Sequence, residues 1–342
     1  MNLMIFSFLI LGISIISTML MKNIALRYGI LDKPDKERKI HKEVIPLLGG
    51  VAVFIALFTG ILIGKEFIFA RGLSEAQILG FFFGGLALVI GGVLDDIYEL
   101  KPGKQMLFSV LAVAILIFSG VSIEKVTNPF GGLLYFGVFL SYVLTFVWVI
   151  GMIYTTKLLD GVDGLVSGLG VISGIIIFLF TMTTKYYQPD VGIMALIFSL
   201  ACAGFLLFNF YPAKIFLGES GSLFIGYVIA VLAIISGAKI AVALLVMGIP
   251  IMDVAWTIIR RIADKKNPFK SADKQHLHHK FLAMGLSQRQ TVLIYYILAA
   301  FFGCLALFLQ SRGKIIAIVI LAVIMVFIAF LSVFIPRKNK SA

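Results

Sequence analysis

Residues 77–96 read QILGFFFGGLALVIGGVLDD, a long apolar segment followed by a short charged one, the two kinds of segment from which the chain is built. The first eighteen of these residues carry no charge, and they end directly on the carboxylates of Asp95 and Asp96. A helix that crosses a bilayer needs about 20 apolar residues. The stretch therefore predicts a membrane span that presents two acidic side chains at its end.

Similar apolar runs cover most of the 342 residues, of which 61% are hydrophobic and 13% charged. So little charge cannot cover the surface of a soluble domain. The sequence predicts an all-α, polytopic helix bundle that forms one integral membrane domain over residues 1–342. We expect about eleven transmembrane helices, near 3–21, 46–64, 77–94, 106–120, 133–150, 165–183, 191–208, 221–236, 239–259, 291–310 and 315–335.

Basic residues set the expected orientation. With eleven spans, 22 of the 29 Lys and Arg residues fall on one side, which the positive-inside rule assigns to the cytoplasm. The N-terminus is then outside and the C-terminus cytoplasmic. The charge lies in loops beside the bilayer, which favours membrane lipids over nucleic acid as its partner. The expected active-site face consists of loops 22–45, 95–105, 151–164, 209–220 and 260–290.

The acidic residues and histidines share this side, with 13 of the 17 Asp and Glu residues and all four His. A transporter more often places ionisable groups near the middle of the bilayer, where this sequence has almost none. We therefore expect chemistry at the cytoplasmic interface. Cys202 and Cys304 lie inside apolar runs and form no metal-binding pair.

Two acidic motifs are candidates for that chemistry. Asp95 and Asp96 oppose the helix dipole and repel each other, a cost that a bound cation or a catalytic role would offset; a solvated helix end is the alternative. Asp160 and Asp163 would share one face if their turn were helical, although both could be ordinary helix caps.

Two further segments have phosphate-binding character. Between Asn209 and Ser222, Gly218 and Glu219 precede a helix whose free N–H groups could face an anion, and Glu219 could supply a metal oxygen; a capped turn is the alternative. The 260–290 loop carries His276, His278 and His279, for which we favour phosphate binding over a metal site or a solvated loop.

Together these segments resemble the polyprenyl-phosphate N-acetylhexosamine-1-phosphate transferases, the WecA/TagO branch of the MraY-like superfamily. The matching pieces keep their order along the chain. They are Asp32–Gly50, Leu94–Asp96, Leu159–Leu165, Asn209–Ser222, Pro250–Asp253 and Asp273–His279.

The resemblance implies a glycosyltransferase family 4 enzyme that moves a sugar 1-phosphate, N-acetylglucosamine 1-phosphate above all, from a UDP-sugar to undecaprenyl phosphate. UMP would leave, and cell-envelope polysaccharide synthesis, of lipopolysaccharide or teichoic acid, would begin at the bacterial cytoplasmic membrane. Mg²⁺ is the expected cofactor, with Mn²⁺ as a substitute. A homodimer is compatible with this interpretation.

The resemblance also implies roles for individual residues. Asp95, Asp96 and Asp160 would be catalytic, and Glu219 and Asp160 would bind the metal. The expected substrate-binding residues are Arg38, His41, Lys157, Asp163, Asn209, His276, His278 and His279.

Four positions depart from the family pattern. Glu219 replaces the usual Asp, and Tyr154 and Lys157 stand where Asn is usual. Gln105 and Ser109 occupy positions usually held by Lys and Gln. Since Lys157 places a cation beside the expected metal, it should weaken Mg²⁺ binding or replace part of its charge. An altered paralogue that binds nucleotide or lipid phosphate without turnover is therefore the alternative, ahead of a lipid transporter.

Overall fold

The structure is a computed structural model of the chain. It describes residues 2–34, 43–68, 73–128, 130–183, 187–237, 239–263, 265 and 276–334, with the backbone alone for 328–334.

Every predicted apolar run falls on a helix, which confirms the predominantly helical membrane class. The helices are α1 Leu3–Tyr28, α2 Gly49–Ile63, α3 Lys65–Ile68, α4 Glu75–Tyr98, α5 Pro102–Phe118, α6 Val138–Leu159, α7 Leu165–Thr181, α8 Pro189–Asn209, α9 Gly218–Ile235, α10 Ile240–Val246, α11 Gly248–Ala263, α12 Leu277–Ala283, α13 Gln288–Phe308 and α14 Ser311–Phe334.

Fewer helices meet the length and hydropathy expected of a membrane crossing than the eleven that were predicted. In the described part of the chain, six helices are long and apolar enough to cross, or seven if the bent α10–α11 pair is one span. Helices α2, α5 and α7 are apolar but only 15 to 17 residues long. The eleven crossings and the orientation therefore stay predictions.

The ninth apolar run is broken between α10 and α11, which meet at 79°. Pro250 lies in the first turn of α11 and has no N–H to donate to the carbonyl of Val246. A missing hydrogen bond and the proline ring interrupt a helix at such a position. The run was predicted as one continuous helix, and this bend corrects that prediction.

Two short antiparallel strand pairs were also not predicted. Strand β1 (Leu31–Asp32) pairs with β2 (Ile45–Pro46), and β3 (Lys125–Thr127) pairs with β4 (Leu133–Tyr135). The second pair shortens the run predicted at 133–150, because α6 begins only at residue 138. Both pairs lie in connections between helices.

Helix α9 is the centre of the bundle, with every residue from Ser220 to Ile234 buried. Its beginning approaches two other helices at backbone distance. A Cβ atom on Gly92 of α4 would lie 2.2 Å from Cα of Ser220, and one on Gly50 of α2 would lie 2.1 Å from the backbone nitrogen of Gly221. Only glycine fits at either position, so the end of α4 and the start of α2 rest directly on α9.

We expect Gly92→Ala to lower the melting temperature in detergent. The added methyl group must push α4 away from backbone atoms of α9, and overpacking of this kind costs about 1–3 kcal/mol. Gly151→Ala is the matched control, since Gly151 lies inside α6 with nothing within 4 Å of its added Cβ. Equal melting temperatures for the two variants would contradict the close contact.

Candidate active site

Asp95 and Asp96 lie in the last turn of α4 and point to different partners. Asp95 is buried and accepts hydrogen bonds from the Leu100 backbone N–H (2.7 Å) and from Nε2 of Gln105 (2.6 Å). Asp96 accepts one from the Glu219 backbone N–H at 2.9 Å. These donors offset the cost of two carboxylates at a helix C-terminus.

Asp96 connects α4 to the first turn of α9. Its Oδ2 atom is buried and has no hydrogen-bond partner among the described residues. Gly218 lies against this carboxylate with φ +70°, and a Cβ there would lie 2.4 Å from Oδ2. Both the backbone conformation and the space therefore require glycine at this position.

The side chain of Lys157, in the last turn of α6, reaches Glu219 in the first turn of α9. Its Nζ atom lies 3.0 Å from Oε2 of Glu219, as an ion pair, and donates a hydrogen bond of 2.7 Å to Oε1 of Gln105. Because Gln105 also binds Asp95, a continuous series of contacts joins Asp95, Gln105, Lys157 and Glu219.

Asp160 directly follows α6 and lies near the carboxylates of Glu219, Asp96 and Asp163; we call the space between these carboxylates the acidic cleft. The protein atoms around its carboxylate raise its pKa well above the ordinary value by desolvation, and the negative charges of Glu219, Asp96 and Asp163 raise the pKa further. The residue as a whole is nevertheless exposed to solvent, so a ligand can approach it. The turn after it is not helical, and Asp163 accepts a hydrogen bond from the Ala213 backbone N–H at 3.0 Å.

Asn209, the last residue of α8, is buried and bound to protein at both ends of its amide. Oδ1 accepts hydrogen bonds from the Gly164 backbone N–H (3.1 Å) and the Ser167 hydroxyl (2.8 Å), and Nδ2 donates to the Ile215 carbonyl (3.0 Å). These contacts hold the turn before α7 against the loop before α9. The side chain thus positions the site, while its predicted contact with substrate stays a prediction.

The histidine segment is anchored by Asp253 of α11. Its carboxylate accepts a hydrogen bond from the Leu277 backbone N–H (2.9 Å) and lies 3.0 Å from Nδ1 of His276. The His276 and His278 rings are parallel, with centroids 5.7 Å apart, and His279 lies against His278. Asp253 therefore fixes the start of α12 and the direction of its histidines.

His278 faces the acidic cleft. A Cβ on Gly161 would lie 3.0 Å from its Nε2 atom, and neither ring nitrogen has a partner among the described residues. Burial lowers the pKa of His278 well below the ordinary value, and the charges of His279 and His276 lower it further. The ring is thus neutral near pH 7 and keeps hydrogen-bonding capacity next to Gly161.

The structure brings Asp95, Asp96, Lys157, Asp160, Glu219 and His278 to one end of the bundle. Arg38 and His41 lie outside the described residues. No three His, Cys, Asp or Glu side chains of the described ranges are arranged to hold a metal ion. A cavity of about 300 Å³ lined by Leu73, Gln77, Gln188 and Asp190 is unrelated to this cleft, since Gln77 and Asp95 lie about 27 Å apart along α4.

Sequence reasoning gave no site role to Asp253 or Gln105. Asp253 was visible only as the last residue of the Pro250–Asp253 motif, and Gln105 only as a departure from the family pattern. Their contacts with His276, Asp95 and Lys157 join residues 10 to 52 positions apart. Such pairings depend on how the helices pack.

Comparison with known proteins gives the family. Residues 78–237 match the model described as glycosyl transferase family 4. A Bacillus subtilis relative, named "Probable undecaprenyl-phosphate N-acetylglucosaminyl 1-phosphate transferase", is 33% identical over 326 residues, which are 93% of this chain and 88% of the relative.

Two further relatives agree with this match. A decaprenyl-phosphate N-acetylglucosaminephosphotransferase of Mycolicibacterium smegmatis is 30% identical over 80% of this chain and 74% of its own length. An undecaprenyl-phosphate alpha-N-acetylglucosaminyl 1-phosphate transferase of Thermotoga maritima is 30% identical over 86% of this chain and 87% of its own length. With this similarity along nearly its whole length, the chain belongs to the polyprenyl-phosphate N-acetylglucosamine-1-phosphate transferases of glycosyl transferase family 4.

Proposed function

We propose that this chain transfers N-acetylglucosamine 1-phosphate from UDP-N-acetylglucosamine to undecaprenyl phosphate, with release of UMP. An oxygen of the lipid phosphate attacks the phosphorus that bears the sugar. The bond from that phosphorus to the bridging oxygen breaks, and UMP leaves with that oxygen. The product would start a cell-envelope polysaccharide at the bacterial cytoplasmic membrane.

One observation carries the proposal: the carboxylates of Asp96, Asp160 and Glu219 meet at one end of the bundle, although they come from α4, the turn after α6, and α9. The negative charges of both other residues raise the pKa of Asp160, and the Glu219 backbone N–H donates a hydrogen bond to Asp96. Separate locations for these groups would have removed the basis for a shared catalytic site.

A divalent cation fits the chemistry of these side chains. Asp160 and Glu219 offer hard oxygen atoms, and Mg²⁺ is commonly held by one or two carboxylates together with substrate phosphates rather than by a protein cage. The finding that no three such side chains of the described ranges are arranged around one ion is therefore compatible with Mg²⁺. When bound, Mg²⁺ would offset the negative charge of the diphosphate.

The protein's own groups have distinct tasks in this proposal. Asp95 has both oxygens engaged and holds the end of α4. Asp96 has a buried Oδ2 with no hydrogen-bond partner among the described residues, so in this proposal it is the member of the pair that accepts a proton from the lipid phosphate once the ligand reaches this atom. Neutral His278 can donate a hydrogen bond to a diphosphate oxygen. Asp253 and His276 keep that ring in position.

The basic loops favour a cytoplasmic location for this face, where a soluble sugar nucleotide and the head group of a membrane lipid could meet. A homodimer stays a prediction.

The alternative function, binding of nucleotide or lipid phosphate without turnover, is favoured by one contact, the ion pair between Lys157 and Glu219. This ion pair engages a carboxylate that is expected to bind the metal.

The direct test uses purified protein in detergent with Mg²⁺, UDP-N-acetylglucosamine and undecaprenyl phosphate. We expect release of UMP and formation of a lipid-linked sugar diphosphate, and no UMP when the lipid is omitted. The Bacillus subtilis relative serves as a positive control. Binding of UDP-N-acetylglucosamine without UMP release, under conditions where that relative turns over, would favour the paralogue instead.

We expect Asp160→Asn to lower kcat by about 100-fold or more, as loss of a charged group at a reaction centre commonly does. The substitution keeps the shape of the side chain and removes its charge from the cleft. Glu124→Gln removes an exposed carboxylate outside the site and should leave the rate unchanged. Similar rates for both variants would show that Asp160 has no part in the reaction.

A further inference from the structure

The ammonium group of Lys157 lies beside the carboxylate of Glu219 in the acidic cleft. The side chain of Lys157 is only 16% exposed and that of Glu219 is 34% exposed, with 3.0 Å between their charged atoms. A partly buried ion pair is screened less than a surface pair. Lys157 therefore neutralises part of the charge of Glu219 before any ligand binds.

Gln105 determines where this cation sits. Its Nε2 atom donates to Oδ2 of Asp95 (2.6 Å) and to the Leu100 carbonyl (3.0 Å), and its Oε1 atom accepts from Lys157 (2.7 Å). A carboxylate only accepts hydrogen bonds and an ammonium group only donates them. The amide can satisfy both neighbours in one orientation alone, so it holds the ammonium against Glu219.

A divalent cation at Glu219 would meet this ammonium group at close range. Both cations are attracted by the same carboxylate and repel each other, and the repulsion is strong where water is partly excluded. Lys157 has a flexible stem and three donors, so its ammonium group can move to the oxygens of an arriving diphosphate. Such a move would leave Glu219 available to the metal.

We propose that Lys157, positioned by Gln105, competes with the divalent cation for Glu219 and keeps the affinity of the free enzyme for that cation low. The cation then enters together with the diphosphate, whose oxygens take over the ammonium group. The identity of the diphosphate rests on the proposed function, whereas the competition at Glu219 involves the protein and the metal alone.

The experiment measures Mn²⁺ binding to the full-length protein in detergent without nucleotide, from the electron paramagnetic resonance signal of free Mn²⁺. We expect Lys157→Met to bind Mn²⁺ about tenfold or more tightly than the wild type, because an adjacent positive charge is removed. Lys157→Arg keeps the charge and should bind weakly, like the wild type. Unchanged or weaker binding by Lys157→Met would overturn the proposal.

Two controls separate the position of the charge from its amount. Lys104→Met removes an exposed charge next to Gln105 and should leave Mn²⁺ affinity close to that of the wild type. The exchange of Gln105→Lys with Lys157→Gln keeps the net charge but moves the ammonium group toward Asp95, and it should tighten binding. An equal gain in Lys104→Met, or no gain in the exchange variant, would contradict competition at Glu219.

The added affinity must also depend on Glu219. Glu219→Gln in the Lys157→Met background should abolish the gain, and its persistence would place the metal elsewhere. Melting curves establish folding, and if Lys157→Met does not fold, the exchange variant and Lys157→Arg carry the comparison. The Mn²⁺ measurement does not depend on turnover. Tight Mn²⁺ binding by Lys157→Met, together with no UMP release in the separate transferase assay, would therefore contradict only the proposed transferase reaction.

Discussion

The site depends on the backbone contact between the start of α9 and the helices α2 and α4. Gly50 and Gly92 allow this contact because neither has a side chain, and no Cβ fits at either position. The approach brings the Glu219 N–H within hydrogen-bonding distance of Asp96. Since α6 also packs on α9, the same arrangement directs Lys157 and Asp160 into the cleft.

Hydropathy predicted the helices well because an apolar run of sufficient length has few alternatives in a bilayer. The glycine pairs 49–50, 84–85 and 91–92 lie at close contacts between helices, and 131–132 forms the turn between β3 and β4. The bend before Pro250 and the two strand pairs were missed. A proline marks a weak point in a helix, but neighbouring helices decide whether and how far it bends.

The candidate site was predictable in its composition and less so in its connections. Family resemblance identified the acidic residues and histidines, and it identified Lys157 and Gln105 as departures. It could not show that these two departures touch each other at 2.7 Å, 52 residues apart. Nor could it show that Asp95 turns away from Asp96, because that depends on the partners that packing supplies.

The lengths of α2, α5 and α7 have a consequence for the surrounding lipid. All three begin at the end of the bundle that carries the acidic cleft, and their 15 to 17 residues rise about 22–26 Å, less than the hydrocarbon thickness of about 30 Å. For helices of this length that cross a bilayer, hydrophobic mismatch favours local thinning of the bilayer or a recessed protein surface. Either arrangement would bring the carboxylates of the acidic cleft nearer to the level of the lipid phosphates in that leaflet.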